Sequence, residues 1–496
     1  MYSSIRHSLG VYTSSHPSSW PHGCDRLTSI YRYGLASPDS CYSAILSDPQ
    51  IDSIWSDKSR IEIYLHFESA LARVQSRLNI IPREAADAIA AACENAEQFI
   101  DYKELKRQTE VIGYPVLPLV KQLVQYVNDS RPGQNLGEWT HWGATTQDLT
   151  DTATSLQIKE TLTVAEQLLD TIIKTLRRIC EKHKATPMPA RSNLQQAVPI
   201  TVGFKFARLL STFLRHKQRL SELRSRVLVL QFSGAAGTLA TLSPDGTNTI
   251  ALECQRLLAA ELNLSQPDIT WHTERDNIAE YGFWLCSLTQ TCGKLAFDLK
   301  LEMQTEVAEM KEGFVPHRGS SSTMPQKRNP IACVYITALA ATVRGLSATL
   351  CESMLSDHER STGPWEIEWI VLPQISTQSV ACLKHTRDVL HSLEIYPAAM
   401  QRNLALSQGL IVSEAVMMGL GPKLGRQKAH DMVYELCQRA SEDNKPLVEL
   451  LLADPEVQKS EVTEKELRYW CDPANYLGLS VPMTERVLEI ASRASK

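Results

Sequence analysis

Long stretches of the chain carry apolar residues at helical spacing, and few show the alternation of a β-strand. From Ser56 onward, the segment IEIYLHFESALARVQSRLNIIP places residues such as Ile61, Leu65 and Leu71 on one stripe until Pro82 interrupts it. The stretch around 148–184 repeats the pattern over about 36 residues, which predicts a helical rod about 54 Å long. The pattern therefore predicts an all-α protein.

The later part of the chain continues this organisation. Further rods are predicted at about 201–230, at 277–312 and after Pro330. Rods with apolar residues on more than one face need partners on several sides, which one chain does not provide. From about Cys382 the helices are shorter and indicate a separate lobe. We expect three helical domains: a mixed N-terminal domain at 1–147, a central long-helix bundle at 148–381 and a small C-terminal domain at 382–496.

Composition and charge narrow the class of protein. The net charge of −5, with 43% hydrophobic and 22% charged residues, is typical of a globular protein, and no basic block interleaved with aromatic residues indicates nucleic-acid binding. Twelve cysteines without a CxxC or Cys/His cluster favour reduced thiols in an intracellular protein. The longest apolar run, near Ile331–Val343, is too short and too interrupted by threonine to span a bilayer, so no membrane segment is predicted.

The first two dozen residues, MYSSIRHSLGVYTSSHPSSWPHGC, are rich in serine and contain no acidic residue before Asp25. This composition fits a mitochondrial presequence loosely. An unstructured tail without a targeting role is the favoured interpretation. We therefore expect a cytoplasmic location, with a mitochondrial one as the alternative.

Three polar, turn-like segments interrupt the helical background: THWGATTQD at 140–148, ARSNLQQAVP at 190–199 and HRGSSSTMPQKRNP at 317–330. Each abuts a predicted helix end, and helix N-termini attract carboxylates and phosphates. Taken alone, the third segment also fits a flexible linker. The residues that add charge or hydrogen-bonding groups are Thr145, Thr146, Gln147, Asn193, Gln195, His317, Lys327, Arg328 and Asn329.

The sequence contains no metal triad, P-loop, GxSxG or dinucleotide fingerprint. We therefore expect chemistry performed by side chains alone, with no metal and no organic cofactor. A small carboxylate is the simplest substrate for three such segments.

The third segment resembles a family signature. SSSTMPQKRNP is similar to the signature loop of the fumarase/aspartase superfamily, GSSxMPxKxNP, and keeps Met324, Pro325, Lys327, Asn329 and Pro330. HWGATTQDLTDTA, QFSGAAGTLATL, WHTERDNIAEYG and NLALSQGLIVSEAVMM are similar to the 3-carboxy-cis,cis-muconate cycloisomerase branch, which is close to adenylosuccinate lyase. The resemblance spans about 55–430. It implies a homotetramer whose active sites combine one of the three segments from each of three subunits.

The resemblance also implies catalytic roles. Ser321, six positions before Lys327, would be the base that removes a proton beside a carboxylate. Lys327 and Asn329 would hold that carboxylate and stabilise the carbanion. The flexible loop would open for substrate and close over it. The superfamily usually has glycine at the position of Ser320, so Ser320 and Ser322 remain rival hydroxyls.

Other positions match substrate contacts of the superfamily. They are His141 and the Thr145–Thr146 pair, and we add further candidates from the same motifs: Gln147, Asn193, Gln195, Ser322 and Met324. Arg275, in WHTERD, is a similar match, with a structural ion pair as the alternative.

The main departure from the superfamily is Asn193. Fumarases, argininosuccinate lyases and adenylosuccinate lyases carry a Thr-His pair here that helps to protonate or orient the leaving group, whereas this chain has Ser192 and Asn193. An amide cannot deliver a proton at neutral pH. The cycloisomerase branch also lacks this histidine.

We therefore expect a cofactor-independent lyase or cycloisomerase that acts on a small di- or tricarboxylate, most similar to 3-carboxymuconate cycloisomerase. When the lactone ring opens, in the reverse of lactonisation, the leaving group is an internal carboxylate. This carboxylate is stable as an anion and needs no proton. Decarboxylation of an unsaturated tricarboxylate such as trans-aconitate, forming itaconate, is the runner-up for the same reason. An adenylosuccinate lyase-like C–N lyase and a catalytically inactive structural relative are further alternatives.

Overall fold

The computed structural model describes residues 40–493, so the serine-rich N-terminal tail and its predicted role lie outside the described residues. Helices form most of this range, and the all-α prediction is confirmed. Ser56 caps the helix predicted to follow it, because its hydroxyl accepts a hydrogen bond from the Ser59 amide. The first helices are α1 (Ser43–Leu46), α2 (Pro49–Ile54), α3 (Asp57–Arg77), α4 (Arg83–Glu94), α5 (Tyr102–Ile112) and α6 (Val116–Ser130).

The long-helix bundle forms the middle of the molecule. Its helices, with the shorter α9 between them, are α7 (Thr146–Lys182), α8 (Val202–Val227), α9 (Ile250–Glu261), α10 (Asp276–Glu302), α11 (Ile331–Cys351) and α12 (Pro364–Ser392). α11 packs between α10 and α12, while α7 packs against α8 and α12. α9 instead joins α3 and α4 in a first hydrophobic core around Phe67, Ile89 and Leu258.

One predicted rod is shorter than expected. The segment predicted as a helix to Glu312 leaves the helix at Glu302, and the chain reverses direction over the next residues. Ala308 adopts a positive φ of 49° in this reversal, and the Glu309 amide donates to the Glu302 carbonyl at 3.1 Å. The reversal buries the Glu309 side chain, which the helical pattern of the sequence does not reveal.

Four short strands occur in the described part of the chain. They are β1 (Pro187–Ser192), β2 (Gln195–Thr201), β3 (Met310–Lys311) and β4 (Glu394–Ile395). β1 and β2 form an antiparallel hairpin between α7 and α8, and β3 pairs with β4. The hairpin turns through Asn193 and Leu194, whose φ values of 48° and 65° are those of a type I′ turn.

The C-terminal part contains shorter helices, as predicted. They are α13 (Pro397–Ala405), α14 (Ser413–Leu424), α15 (Arg426–Asp443), α16 (Leu447–Ala453), α17 (Pro455–Lys459), α18 (Glu464–Trp470) and α19 (Ser480–Arg493). α14 to α18 surround a core that includes Leu420, Val433 and Leu451, whereas α19 packs back on α7 and α8. The boundary predicted at 381 falls within the continuous α12, and the division into three domains stays a prediction.

Within residues 40–493, one helical stretch, Ile331–Met354, is long and apolar enough to cross a membrane by length and composition. The expectation that this run was too short is therefore wrong, because the apolar stretch continues well past Val343. Ile336, Leu339 and Leu350 are buried against the neighbouring helices of the bundle. Packing between α10 and α12 accounts for this apolar composition.

Candidate active site

The first candidate segment, at 140–148, leads into the first turn of α7 and holds His141 in a strained backbone conformation. His141 has a φ of 62°. The Glu68 carboxylate accepts hydrogen bonds from its amide, at 3.1 Å, and from its Nδ1, at 2.6 Å. Burial alone would lower the pKa of the imidazole, but the charge and hydrogen bond of Glu68, together with the charge of Asp148, outweigh it and raise the pKa. Nε2 has no hydrogen-bond partner among the described residues, so the ring is available to a carboxylate.

Asp148 links this segment to two others that the sequence analysis singled out. Its fully buried carboxylate accepts hydrogen bonds from the amides of Ser233, at 3.1 Å, and Gly234, at 2.9 Å, and lies 2.9 Å from His272 Nε2. It also accepts from the Thr145 amide at the start of α7. Asp148 was not among the predicted site residues, although Thr145 and Asp148 have the spacing of a capping box.

Gln147, a predicted substrate contact, is fully buried and both ends of its amide are bonded. Its Nε2 donates to the His272 carbonyl at 2.7 Å, and its Oε1 accepts from Arg360 at 2.6 Å. Arg360 also donates to the Ala235 carbonyl and has no carboxylate partner in the described range. In this arrangement Gln147 positions Arg360, a residue that sequence reasoning missed.

Arg275, for which an ion pair was the alternative to substrate binding, lies at the N-terminal end of α10 and is only 1% exposed. Its guanidinium donates two hydrogen bonds to Glu368 of α12 and two to Asp151 of α7, at 2.5 to 3.0 Å. Burial opposes the charge, but the two carboxylates outweigh it and raise the pKa of Arg275. The structure thus gives Arg275 the ion-pair role, and the side chain presents no surface to a substrate.

The signature loop at 317–330 is closed at its neck. Asn329 donates both its amide and its Nδ2 to the Gly319 carbonyl, at 3.0 and 2.9 Å. Gly319 has a φ of 70°, and a Cβ there would lie 2.5 Å from the Asn329 carbonyl oxygen, so this position requires glycine. The Arg328 guanidinium lies over the Phe314 ring and donates to the Glu312 carbonyl at 3.0 Å.

Ser321 is the one serine of the three in this loop whose side chain is hydrogen-bonded in the described structure. Its Oγ accepts from the amides of Thr323, at 3.3 Å, and Met324, at 3.1 Å. Two amides directed at one hydroxyl oxygen would stabilise a serine alkoxide. The exposed Lys327 side chain of the same loop has no hydrogen-bond or ion-pair partner in residues 40–493, so its charge is free to bind an anion. This geometry favours Ser321 over Ser320 and Ser322.

The hairpin between β1 and β2 presents Asn193, Leu194 and Gln195 at its exposed tip. Leu194 is 74% exposed despite its apolar side chain and its positive φ. None of the three can donate a proton as a general acid at neutral pH. The tip therefore supplies amide and apolar contacts only.

The three segments do not meet within one chain. The first segment and the hairpin lie at opposite ends of α7, whose 37 residues span about 55 Å. The hairpin and the signature loop share one end of the bundle, because Arg191 of β1 pairs with Glu309 of the reversal that leads to the loop. No hydrogen bond or ion pair joins the segments to one another in the described part of the chain. His141 and Ser321 can share a site only if they belong to different chains.

Comparison with known proteins places the chain in a family. Residues 46–345 match the family model described as "Lyase", and residues 409–487 match the model "Adenylosuccinate lyase C-terminus". The chain belongs to the fumarase/aspartase superfamily. It is accordingly an enzyme of the lyase and cycloisomerase type.

Individual members of the superfamily cover nearly all of the chain. Trans-aconitate decarboxylase 1 from Mycosarcoma maydis is 50% identical over 491 residues, which are 99% of this chain and 96% of that protein. 3-Carboxy-cis,cis-muconate cycloisomerase from Acinetobacter baylyi is 37% identical over 92% of this chain and 99% of its own. The crystal structure of the 3-carboxy-cis,cis-muconate lactonizing enzyme from Pseudomonas putida superposes with a TM-score of 0.84 at 37% identity, covering 92% of this chain and all of that one.

Replacing Ser321 by Ala is expected to abolish nearly all turnover without unfolding the protein, because the hydroxyl lies in a loop and contributes little to stability. Ser320→Ala and Ser322→Ala are the matched controls and are expected to retain most of the activity. Turnover and the melting temperature of the three variants check this. Loss of turnover in Ser320→Ala alone would assign the role to the neighbouring hydroxyl.

Replacing Glu68 by Gln is expected to shift the pH dependence of substrate binding. With Glu68 present, the raised pKa keeps His141 charged further into neutral pH, and KM rises as pH passes through that pKa. Without the Glu68 charge, burial dominates and the pKa falls below the ordinary value of 6.5, so KM rises at lower pH. The measurement is KM against pH, with an NMR titration of His141.

The control is Glu62→Gln on the same helix, since Glu62 is an exposed partner of Lys58. Its profile is expected to match the wild type. Identical pH profiles for Glu68→Gln and wild type would show that His141 does not bind the substrate as a cation.

Proposed function

We propose that this enzyme decarboxylates an unsaturated tricarboxylate, with trans-aconitate as the substrate and itaconate as the product. The observation that carries the proposal is the 50% identity to trans-aconitate decarboxylase 1 along 99% of the chain, against 37% for the cycloisomerase. This reverses the order expected from the sequence, in which lactonisation came first. The hairpin tip is consistent with either reaction, because neither leaving group requires a proton.

The proposed reaction balances without a cofactor. The bond between the methylene carbon of trans-aconitate and its carboxylate breaks and releases carbon dioxide. The electron pair forms a new double bond to the central carbon, and the original double bond shifts its electrons toward the terminal carbon that bears another carboxylate. A proton then adds to that carbon and gives itaconate. The superfamily reaction removes a proton beside a carboxylate, and here the same step runs in the opposite direction.

The candidate residues fit the needs of this reaction. Ser321 would give its proton to the carbon, and the amides of Thr323 and Met324 would stabilise the alkoxide that remains. Lys327 and the His141 imidazolium would bind carboxylates of the substrate. Asn193 is neutral, so it would not hold back the carboxylate that must depart as carbon dioxide.

A second candidate is cycloisomerisation of 3-carboxymuconate. It is supported by the relatives from Acinetobacter baylyi and Pseudomonas putida, each of which shares 37% of its residues with this chain. In that reaction a substrate carboxylate adds to a double bond and a proton again adds beside another carboxylate. The two candidates differ in whether carbon dioxide is released.

We also propose that the enzyme is a homotetramer whose active sites are shared between subunits. The separation of His141 and Ser321 along rigid helices supports this. Large apolar side chains also remain exposed on the outer faces of the long helices, where they would be covered by other copies; they are Phe283, Phe297, Val334 and Ile370.

Purified wild-type protein is expected to release carbon dioxide from trans-aconitate in equal amount to itaconate. In D₂O the itaconate should carry a single deuterium on the methylene beside the carboxylate and none on the methylidene carbon. NMR of the product and carbon dioxide detection check this.

The Asn193→His variant is expected to be no faster, because no proton transfer to the leaving group limits the rate.

Other substrates separate the alternatives. Lactone formation from 3-carboxymuconate without carbon dioxide release from trans-aconitate would establish the second candidate. Efficient cleavage of adenylosuccinate or argininosuccinate would contradict the argument from the leaving group, since their nitrogen leaving groups need a proton.

Mixed tetramers of two inactive variants are expected to regain activity if sites are shared. His141→Gln and Ser321→Ala disable different segments, so co-expression should leave about a quarter of the sites with both native residues. The control pairs Ser321→Ala with Lys327→Ala, which disable the same loop and should not complement. The readout is specific activity of hybrids purified through two tags. If His141→Gln and Ser321→Ala hybrids are as inactive as their parents, the sites are not shared.

A further inference from the structure

A buried group of charges lies beneath the hairpin that carries Asn193. Arg191 of β1 donates two hydrogen bonds to Glu309, at 2.5 and 3.0 Å, and lies 3.6 Å from Glu302. Lys205 of α8 pairs with Glu302 at 2.7 Å. Burial alone would raise the pKa of Glu309, but the hydrogen bonds from Arg191 and Asn403 outweigh it and lower the pKa. The charged form of Glu309 is thus the one that this group stabilises.

The same group connects the hairpin to the helix that follows the bundle. Asn403 of α13 is 1% exposed, and its Nδ2 donates to Glu309 at 2.6 Å and to the Val307 carbonyl at 2.8 Å. The Gln196 side chain of β2 donates to the Asn403 carbonyl at 2.8 Å. Both strands of the hairpin are therefore attached to α13, one through Glu309 and one directly.

The chain segment that contains Glu309 also supports the signature loop. Three residues later, the Glu312 carboxylate accepts hydrogen bonds from the amides of Ala332, at 3.3 Å, and Cys333, at 2.8 Å, at the start of α11. The Glu312 carbonyl accepts from Arg328 inside the loop. One four-residue segment, Glu309 to Glu312, therefore anchors the hairpin at one end and the signature loop at the other.

We propose that Arg191, Glu309 and Asn403 are positioning residues that fix the Asn193 turn relative to the helix bundle of its own chain. None of the three lies at the exposed tip, so they act on the reaction through the hairpin. The position of the turn then depends on the contacts that Asn403 of α13 makes with Glu309 and with Gln196 of β2. This inference rests on the proposed function, which places Asn193 in a substrate site.

Asn403→Ala is the informative variant, because it removes the link without leaving a buried charge unpaired. Arg191→Met or Glu309→Ala would do so and could prevent folding. Displacement of a site group by about 1 Å can cost as much as about a hundredfold in rate, and we expect kcat/KM to fall about tenfold in Asn403→Ala. Gln196→Ala, which removes the second attachment, is expected to act in the same direction.

Gln157→Ala is the matched control for stability. Gln157 is a fully buried amide that donates to the Ile54 carbonyl at 2.7 Å in the first half of α7. Its loss should lower the melting temperature by an amount similar to that in Asn403→Ala and leave kcat/KM unchanged. A purely structural role for Asn403 would make the two variants alike in both measurements, which would overturn the proposal.

A double-mutant cycle tests whether Asn403 acts through the turn. Asn193→Ala should lower kcat/KM on its own, and adding Asn403→Ala should lower it little further, because the group being positioned is already absent. Effects that multiply would overturn the proposal while leaving the proposed function intact. A fully active Asn193→Ala would also overturn the proposal, since it would remove this turn from the site, whereas failure of the proposed function would appear as wild-type protein that releases no carbon dioxide from trans-aconitate.

Discussion

One continuous helix, α7, sets the distance that the rest of the molecule must accommodate. Its 37 residues hold the His141 segment and the hairpin about 55 Å apart, and the 27-residue α10 packs against α8 and α12 of the same bundle. Close-packed helices do not shorten or bend to bring such segments together. If His141 and Ser321 act on one small substrate, as proposed, they must come from different copies of the chain. The apolar faces left open on α10, α11 and α12 are the surfaces on which those copies can pack.

A bundle this long also needs its ends fixed, and both ends use buried charge. At one end Arg275 joins α7, α10 and α12 through Asp151 and Glu368. At the other, Arg191 and Glu309 join the hairpin to the reversal after α10. Apolar contacts between helices tolerate small slips along the axis, whereas a slip that separates a buried ion pair leaves a charge without a partner. Such pairs contribute little net stability, and we infer that they help to select one register of the bundle.

The sequence predicted the rods well because their apolar spacing persists over many turns. It did not predict where α10 ends, since the helical pattern continues through the reversal and only the burial of Glu309 shows the change. Glu68 and Arg360 were missed because their partners, His141 and Gln147, lie 73 and 213 positions away. The motif around Gln147 identified a segment of interest. Which of its side chains are buried depends on the residue at which α7 begins, and the sequence pattern did not define that residue. Leu194 takes a turn position that normally favours glycine, so no local signal indicated a two-residue turn there.

The proposed decarboxylation explains why a neutral hairpin tip suffices. Loss of carbon dioxide leaves a carbanion whose negative charge is delocalised into a neighbouring carboxylate. The enzyme must stabilise this charge until the carbon is protonated. In the proposed site Lys327 and the amides around Ser321 would do this from the signature loop, and His141 would add a second cation. A histidine at the hairpin would assist only a leaving group that gains a proton. As a cation, it would stabilise the charged carboxylate of the substrate more than the neutral carbon dioxide that forms from it, and so would oppose decarboxylation. In the proposed reaction Asn193 would orient that carboxylate through its amide while adding no charge.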